Sequence, residues 1–185
     1  MVLLGSYTTL DSAMKYHLAQ LNIARFLQPQ SHPDNTDFVN NLDRVNAIAE
    51  SHPGFVWRLT GEGNNAMDIQ AFDDPDVAVN LSVWTDMEAL ADFVYRNDEH
   101  LTIMRRRKEW FEKMEFYLVL WWVEEGHTPT VDEAKEKLNS LIAEISTLIS
   151  EVKTLQVTLH VISWIKSSKL ISLLKQLVEC RWTSL

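Results

Sequence analysis

Val77-Ala78-Val79-Asn80-Leu81-Ser82-Val83-Trp84 is the stretch that decides the fold. Its odd-numbered positions are all aliphatic, whereas the even-numbered ones carry an alanine, an amide, a hydroxyl and an indole. Such regular alternation predicts a β-strand whose two faces differ. Residues 16–24 alternate in the same way, with leucine and isoleucine on one face and Gln20 and Asn22 on the other. Both stretches are predicted to be strands of one sheet.

The remaining elements complete the order strand, helix, strand, strand, helix, strand. Residues 55–59 are predicted to be the second strand, and the continuously apolar residues 116–123 the fourth, covered on both faces. A capping box at Thr85 predicts the start of the second helix. With helices on one face of a four-stranded antiparallel sheet, this is a ferredoxin-like α+β fold. We expect the aliphatic sides of the first and third strands to face the helices.

The composition argues against several kinds of partner. A formal net charge of −9 over 185 residues disfavours nucleic acid, because phosphate binding needs a positive field. The single cysteine, Cys180, excludes a disulfide framework, and the histidines lack metal-ligand spacing. No apolar run reaches the roughly 20 residues that span a bilayer, and no secretory signal precedes the first strand. We therefore expect a cytoplasmic protein without a metal, nucleic-acid or membrane partner.

Five motifs, in order, resemble an uncharacterised bacterial family. They are Tyr16-His17-Leu18-Ala19-Gln20-Leu21-Asn22-Ile23-Ala24, Gly54-Phe55-Val56-Trp57-Arg58-Leu59, Val79-Asn80-Leu81-Ser82-Val83-Trp84, Arg105-Arg106-Arg107-Lys108-Glu109-Trp110-Phe111, and Leu120-Trp121-Trp122-Val123 followed by Gly126-His127. The family belongs to the dimeric α/β-barrel superfamily, with antibiotic-biosynthesis and haem-degrading monooxygenases as relatives. The resemblance implies a homodimer in which two sheets pack face to face. It transfers no catalytic residue, because the family has none assigned.

The resemblance also divides the chain. Residues 14–138 are predicted to form the domain, residues 1–13 an N-terminal extension, and residues 139–185 an atypical, mainly helical amphipathic tail. Apolar residues recur in this part of the sequence at spacings of three and four: Leu138, Leu141, Ile145, Leu148, Val152, Leu155, Leu159 and Ile162. They predict a helix from Thr130 to about Thr154, packed on the domain or on a second copy. From residue 155 onwards a strand-like alternation competes with the helix, and both interpretations stay open.

The amide- and tryptophan-bearing face of the sheet is where we expect function. The candidate catalytic residues are Asn22, Asn80, Trp84 and His100, and the candidate substrate-binding residues are Gln20, Trp57, Ser82, Arg107, Trp121 and Trp122. Amide and indole donors in a dry cavity can stabilise an electron-rich, deprotonated substrate. An ordinary dimer interface through the same sheet face is the structural alternative.

Three functions follow from these residues, and the sequence leaves open whether the protein is an enzyme. The first is a monooxygenase-like enzyme that acts on a small conjugated molecule without a cofactor. The second is a non-enzymatic small-molecule-binding or stress-response dimer module. The third is a haem-binding protein with His100 as the axial ligand, unless His100 is a helix-terminal histidine bonded to the backbone or to a carboxylate. Residues 105–108 are a basic run that predicts a solvated, ion-paired helix face, with binding of an anionic substrate as the alternative.

Overall fold

Four strands form one antiparallel sheet in the order β2-β3-β1-β4, which is the ferredoxin-like order. The computed structural model describes residues 15–157, with side chains for residues 15–150. The strands are β1 (Tyr16–Arg25), β2 (Phe55–Arg58), β3 (Val77–Trp84) and β4 (Leu118–Glu124), and the helices are α1 (Thr36–Ser51), α2 (Met87–Arg96), α3 (Asp98–Arg106) and α4 (Val131–Val157). The predicted α+β fold class is confirmed.

Two of the predicted segments lie wholly or partly outside residues 15–157. The N-terminal extension, residues 1–13, lies outside the described residues, and so does the tail beyond Val157. The helix predicted from Thr130 to about Thr154 is confirmed as α4. No helix in residues 15–157 combines the length and apolarity that crossing a membrane requires.

Polar side chains cap the N-termini of α4 and α2 close to the positions where these helices were predicted to begin. The hydroxyl of Thr130 accepts a hydrogen bond from the backbone N–H of Glu133 at 3.1 Å, and it caps α4 at the residue where the helix was predicted to begin. At α2 the cap is Asp86, whose Oδ1 accepts from the N–H of Ala89 at 2.8 Å. Thr85 does not cap α2, because its hydroxyl donates to the Asp86 carboxylate at 3.2 Å instead.

The helices α1 and α2 pack on the opposite face of the sheet from the one that the sequence predicted for them. The register pairs three even-numbered positions of β1 with β3: Leu18 with Trp84, Gln20 with Ser82, and Asn22 with Asn80. Trp84 shares a buried cluster with Ala49 of α1 and with Phe93 of α2. The polar and aromatic side chains therefore point towards α1 and α2. Alternation of residues assigns side chains to two faces of a strand but does not reveal which face α1 and α2 cover. Here the Trp84 ring fills the space between the sheet and these two helices.

The aliphatic face of the sheet is buried within a single chain. Leu21 and Leu81 at its centre are 1% and 0% exposed, and they share a cluster with Ala134 and Leu138 of α4. Further apolar side chains from the segment between β2 and β3 pack on it, namely Leu59, Ala66, Ile69, Ala71 and Phe72. A sheet-to-sheet dimer would have to displace α4 and residues 59–76 from this face.

The strand β4 lies at an edge of the sheet, next to β1. Its aliphatic-face residue Trp121 is buried, and the indole Nε1 donates to Glu133 of α4 at 2.9 Å. Trp122, on the other face, is 56% exposed. The prediction that this strand is covered on both faces is therefore wrong, because α1 and α2 pack over β2 and β3 on that side.

Candidate functional site

Four polar side chains on the side of the sheet that α1 and α2 cover lie between two apolar clusters. They are Gln20 and Asn22 of β1 and their cross-strand neighbours Ser82 and Asn80 of β3, and we call them the polar patch. One cluster lies around Trp84 and the other around Phe26. Ser82 is buried, Gln20 and Asn22 are half-buried, and Asn80 is exposed. The patch therefore opens from the interior towards solvent.

A chain of hydrogen bonds links Trp84 to Gln20. The indole Nε1 of Trp84 donates to the hydroxyl of Ser82 at 3.0 Å, and an indole N–H can only donate. The Ser82 hydroxyl in turn donates to the Oε1 of Gln20 at 3.5 Å, which is long for a hydrogen bond. This arrangement leaves the Nε2 group of Gln20 as a donor for a different partner.

The two asparagines of the patch are also left as donors. Within the residues that the structure describes, the side chains of Asn22 and Asn80 form no hydrogen bond with the protein. The half-buried Asn22 carboxamide requires such partners, which water or a ligand must supply, whereas the exposed Asn80 carboxamide is open to solvent. Together with Gln20, they place three carboxamide groups on one side of the sheet.

His100 lies on the same side of the sheet and is linked to Trp84 through one aromatic ring. The His100 ring is 4.7 Å from the ring centre of Phe93, which stacks on Trp84 at 5.2 Å. The Nδ1 of His100 is 3.1 Å from the carbonyl oxygen of Val94, and since a carbonyl only accepts, Nδ1 carries the proton. Burial lowers the pKa of His100, so the imidazole is neutral and its Nε2 keeps a free lone pair.

We expect His100 to reduce the stability of the protein in mild acid. The unfolded imidazole takes up a proton below its usual pKa of 6.5, whereas the buried one resists protonation until lower pH. Stability should be full above that value and decline as the pH falls towards the folded pKa. His100→Gln should flatten this dependence in urea denaturation at a series of pH values. His32→Gln, at a side chain that is 40% exposed, is the control for replacing a histidine as such.

The other predicted site residues lie elsewhere. Trp57 and Trp121 pack on the aliphatic face, so the sheet separates them from the polar patch. Trp122 is exposed at the sheet edge. Arg107 follows the end of α3, where its Nη1 donates to the carbonyl of Met104 at 3.3 Å. Their predicted roles in substrate binding stay predictions.

One charged residue beside the patch was missed. Arg58 pairs with Ser82 across the strands, and its side chain is only 7% exposed. Its Nε donates to Glu50 of α1 at 2.8 Å, and its Nη2 donates to Asn64 at 3.1 Å. The sequence could not place this side chain, because an irregularity between Phe55 and Trp57 breaks the alternation along β2.

Two surface cavities lie away from the polar patch. The smaller, of about 280 Å³, contains His52 and Asp92, which are 3.2 Å apart. The His52 bond, and then the Arg96 bond, lower the pKa of Asp92. His52 is no free base, since its Nδ1 accepts from the N–H of Gly54 at 3.0 Å. The larger cavity, of about 580 Å³, lies at the start of α1 and is lined by Pro29, Gln30, Ser31, His32, Asn35, Thr36, Val39, Asn40, Met67, Pro75 and Asp76.

Residues 17–148 match the family described as Domain of unknown function (DUF3291). The chain belongs to this family. The match covers β1 to β4 and most of α4, and it agrees with the resemblance to an uncharacterised family that five motifs indicated. No curated protein matches the sequence of this DUF3291 member.

Several solved structures share parts of the fold at low identity. A conserved protein from Methanosarcina mazei Go1 is 15% identical, with a TM-score of 0.43, over 58% of this chain and 92% of its own. SnoaB, a cofactor-independent oxygenase from Streptomyces nogalater, is 17% identical, with a TM-score of 0.39, over 60% and 95%. A monooxygenase from the gene ActVA-Orf6 of Streptomyces coelicolor, in complex with nanaomycin D, is 8% identical, with a TM-score of 0.35, over 63% and 92%. At these scores the likenesses bear on neither substrate nor mechanism.

Proposed function

We propose that this DUF3291 domain binds a small, planar, conjugated molecule at the polar patch and acts on it as a monooxygenase-like enzyme without a cofactor. One observation carries the proposal: the carboxamide N–H groups of Gln20, Asn22 and Asn80 lie between two apolar clusters, and within the described residues none of them donates to a protein partner. Apolar walls with a few placed polar groups are the usual lining of a small-molecule site. The flanking clusters suit a flat hydrocarbon, and the donors suit its oxygen atoms.

The chemistry that fits these donors begins with loss of a proton from a phenol or enol. The resulting oxyanion would accept hydrogen bonds from the carboxamides, and the bound planar molecule would itself have to displace water from the patch for these bonds to stabilise the charge strongly. Such an electron-rich anion can reduce dioxygen itself: the substrate loses two hydrogens and gains one oxygen atom, and the second oxygen atom leaves as water. His100 is the proposed base, since its neutral imidazole keeps a lone pair on Nε2. Because Phe93 lies between its ring and Trp84, the proton would have to reach His100 through water.

Oxygen uptake with a panel of quinols and polyphenols tests the proposal. We expect uptake with at least one member, together with quenching of tryptophan fluorescence on binding, because Trp84 adjoins the patch. Binding without oxygen uptake would instead identify a non-enzymatic binding module. If no member of the panel is bound or oxidised, the polar patch is not a site for this class of molecule.

Haem binding is a second candidate function, favoured by one feature of His100. A neutral imidazole with a free Nε2 is a competent iron ligand, and Nδ1 is already held by a backbone carbonyl. Haem titration should then give a Soret shift that His100→Ala removes and His32→Ala keeps. A shift that is equal in both variants would exclude this role for His100.

A homodimer in the cytoplasm is part of the same proposal. The resemblance implies contact through the sheet, yet the aliphatic face is buried by α4 and residues 59–76, and α1 and α2 lie over the other face. The described fold therefore favours a contact surface outside the sheet.

A further inference from the structure

We propose that two copies of this chain associate through a parallel coiled coil formed by the second half of α4. With 27 residues, α4 is about 40 Å long, whereas the seven residues of β4 span about 23 Å. The first turns of α4 pack on the sheet, where Ala134 and Leu138 are 0% and 3% exposed. Further along, Leu148 and Ile149 are 39% and 40% exposed. The helix therefore carries an apolar stripe beyond the sheet that it covers.

The residue types on this stripe fit a two-stranded coil. When Leu138 is set as position a of a heptad, Ile145 and Val152 fall at a, and Leu148 and Leu155 fall at d. β-Branched residues at a, combined with leucine at d, favour parallel dimers over trimers and tetramers. The side of the helix opposite this stripe is polar, because the outward positions b, c and f carry Ser146, Thr147 and Ser150.

Charge distinguishes a parallel from an antiparallel pair. The g positions carry Glu144 and Glu151, whereas the e positions carry Ile149 and Gln156. In a parallel coil each g residue faces an e residue of the other copy, so no like charges meet. An antiparallel coil would bring g residues together and place glutamate against glutamate.

The sequence also favours a second copy over the chain's own following residues as the partner. Folding back onto α4 would need a reversal, and chain reversals favour Gly, Pro, Asn, Asp and Ser. Of these five types, residues 140–185 contain only serine. The three- and four-residue spacing of apolar residues continues in the sequence to Leu159 and Ile162.

Disulfide trapping of the full chain tests the proposal. Cys180→Ser first removes the single natural thiol. In this background Leu148→Cys places two thiols opposite each other across the axis of a parallel coil, within the short range that a disulfide needs. The matched control is Ser146→Cys, which lies on the same turn but faces outward. We expect the mass of a dimer by light scattering, and oxidative cross-linking of the Leu148→Cys variant but not of the control.

A charge at the same position gives a second readout. Leu148→Glu should convert the dimer to a monomer, whereas Thr147→Glu should leave the dimer intact, and far-ultraviolet circular dichroism should show that both variants remain folded. A monomeric wild-type chain would overturn the proposal. So would a dimer that neither cross-links at position 148 nor responds to Leu148→Glu, because its contact would then lie elsewhere. Oxygen uptake plays no part in this test, so the outcome is independent of the proposed enzymatic activity.

Discussion

Replacing Trp84 with alanine should destabilise the protein by about 3–5 kcal/mol, the cost usual for truncating a buried large aromatic side chain. Trp84 is 2% exposed, stacks on Phe93 at 5.2 Å and meets the rings of Phe55 and His52 edge-on at 5.4 and 5.6 Å. A loss of this size is a large share of the roughly 5–15 kcal/mol that hold a domain folded. Urea denaturation of the purified variant measures it directly.

Trp122 is the matched control for this prediction. It is also a tryptophan on the helix-facing side of the sheet, but it is 56% exposed at the edge. Trp122→Ala should therefore change the stability by no more than about 0.5 kcal/mol. Equal losses in the two variants would mean that Trp84 does not hold the helix layer on the sheet.

The same contacts decide how a catalytic role of Trp84 can be tested. Alanine at this position removes packing, so a loss of activity would not distinguish chemistry from unfolding. Trp84→Phe keeps an aromatic ring against Phe93 but removes the N–H that donates to Ser82. The variant therefore interrupts the hydrogen-bond chain from Trp84 through Ser82 to Gln20 while it keeps the packing.

The alternation of residue types and the order of the elements along the chain were enough to predict the sheet, but not which elements pack on its two faces. The period-two pattern of Leu21 and Leu81 shows that they share a face, because strand geometry alone sets this. Which helix covers which face depends on contacts between residues far apart in the sequence. Both faces of this sheet carry large apolar side chains, so the pattern along one strand cannot decide it. The segment between β2 and β3 has no periodicity that predicts its packing, yet its apolar side chains bury the aliphatic face together with α4.

The candidate site was predicted in part for the same reason. Asn22 and Asn80 occupy paired even-numbered positions of β1 and β3, so the sheet brings them together once the register is set. Trp57 and Trp121 were grouped with them by residue type, although their positions place them on the other face. Residue type indicates chemistry, but only position along the strand determines which side chains share a site.

Removing the Asn22 carboxamide should have the largest effect on activity. If the polar patch stabilises a developing oxyanion, Asn22→Ala should lower kcat by about 100-fold, the usual cost of deleting one such donor. KM should change much less, because the interaction strengthens only as charge develops in the transition state. Folding should be nearly unaffected, since the Asn22 side chain makes no hydrogen bond within the described residues.

Asn139→Ala is the control for this effect. It deletes the same carboxamide from an exposed position on α4, on the opposite side of the sheet, and should leave kcat unchanged. Initial rates of oxygen uptake, measured for both variants with the substrate that the wild type oxidises, give the comparison. Asn80→Ala should resemble Asn22→Ala with a smaller loss, because Asn80 is exposed and water weakens its hydrogen bonds to a ligand. Full activity in Asn22→Ala, with the fold intact, would show that the chemistry does not take place at the polar patch.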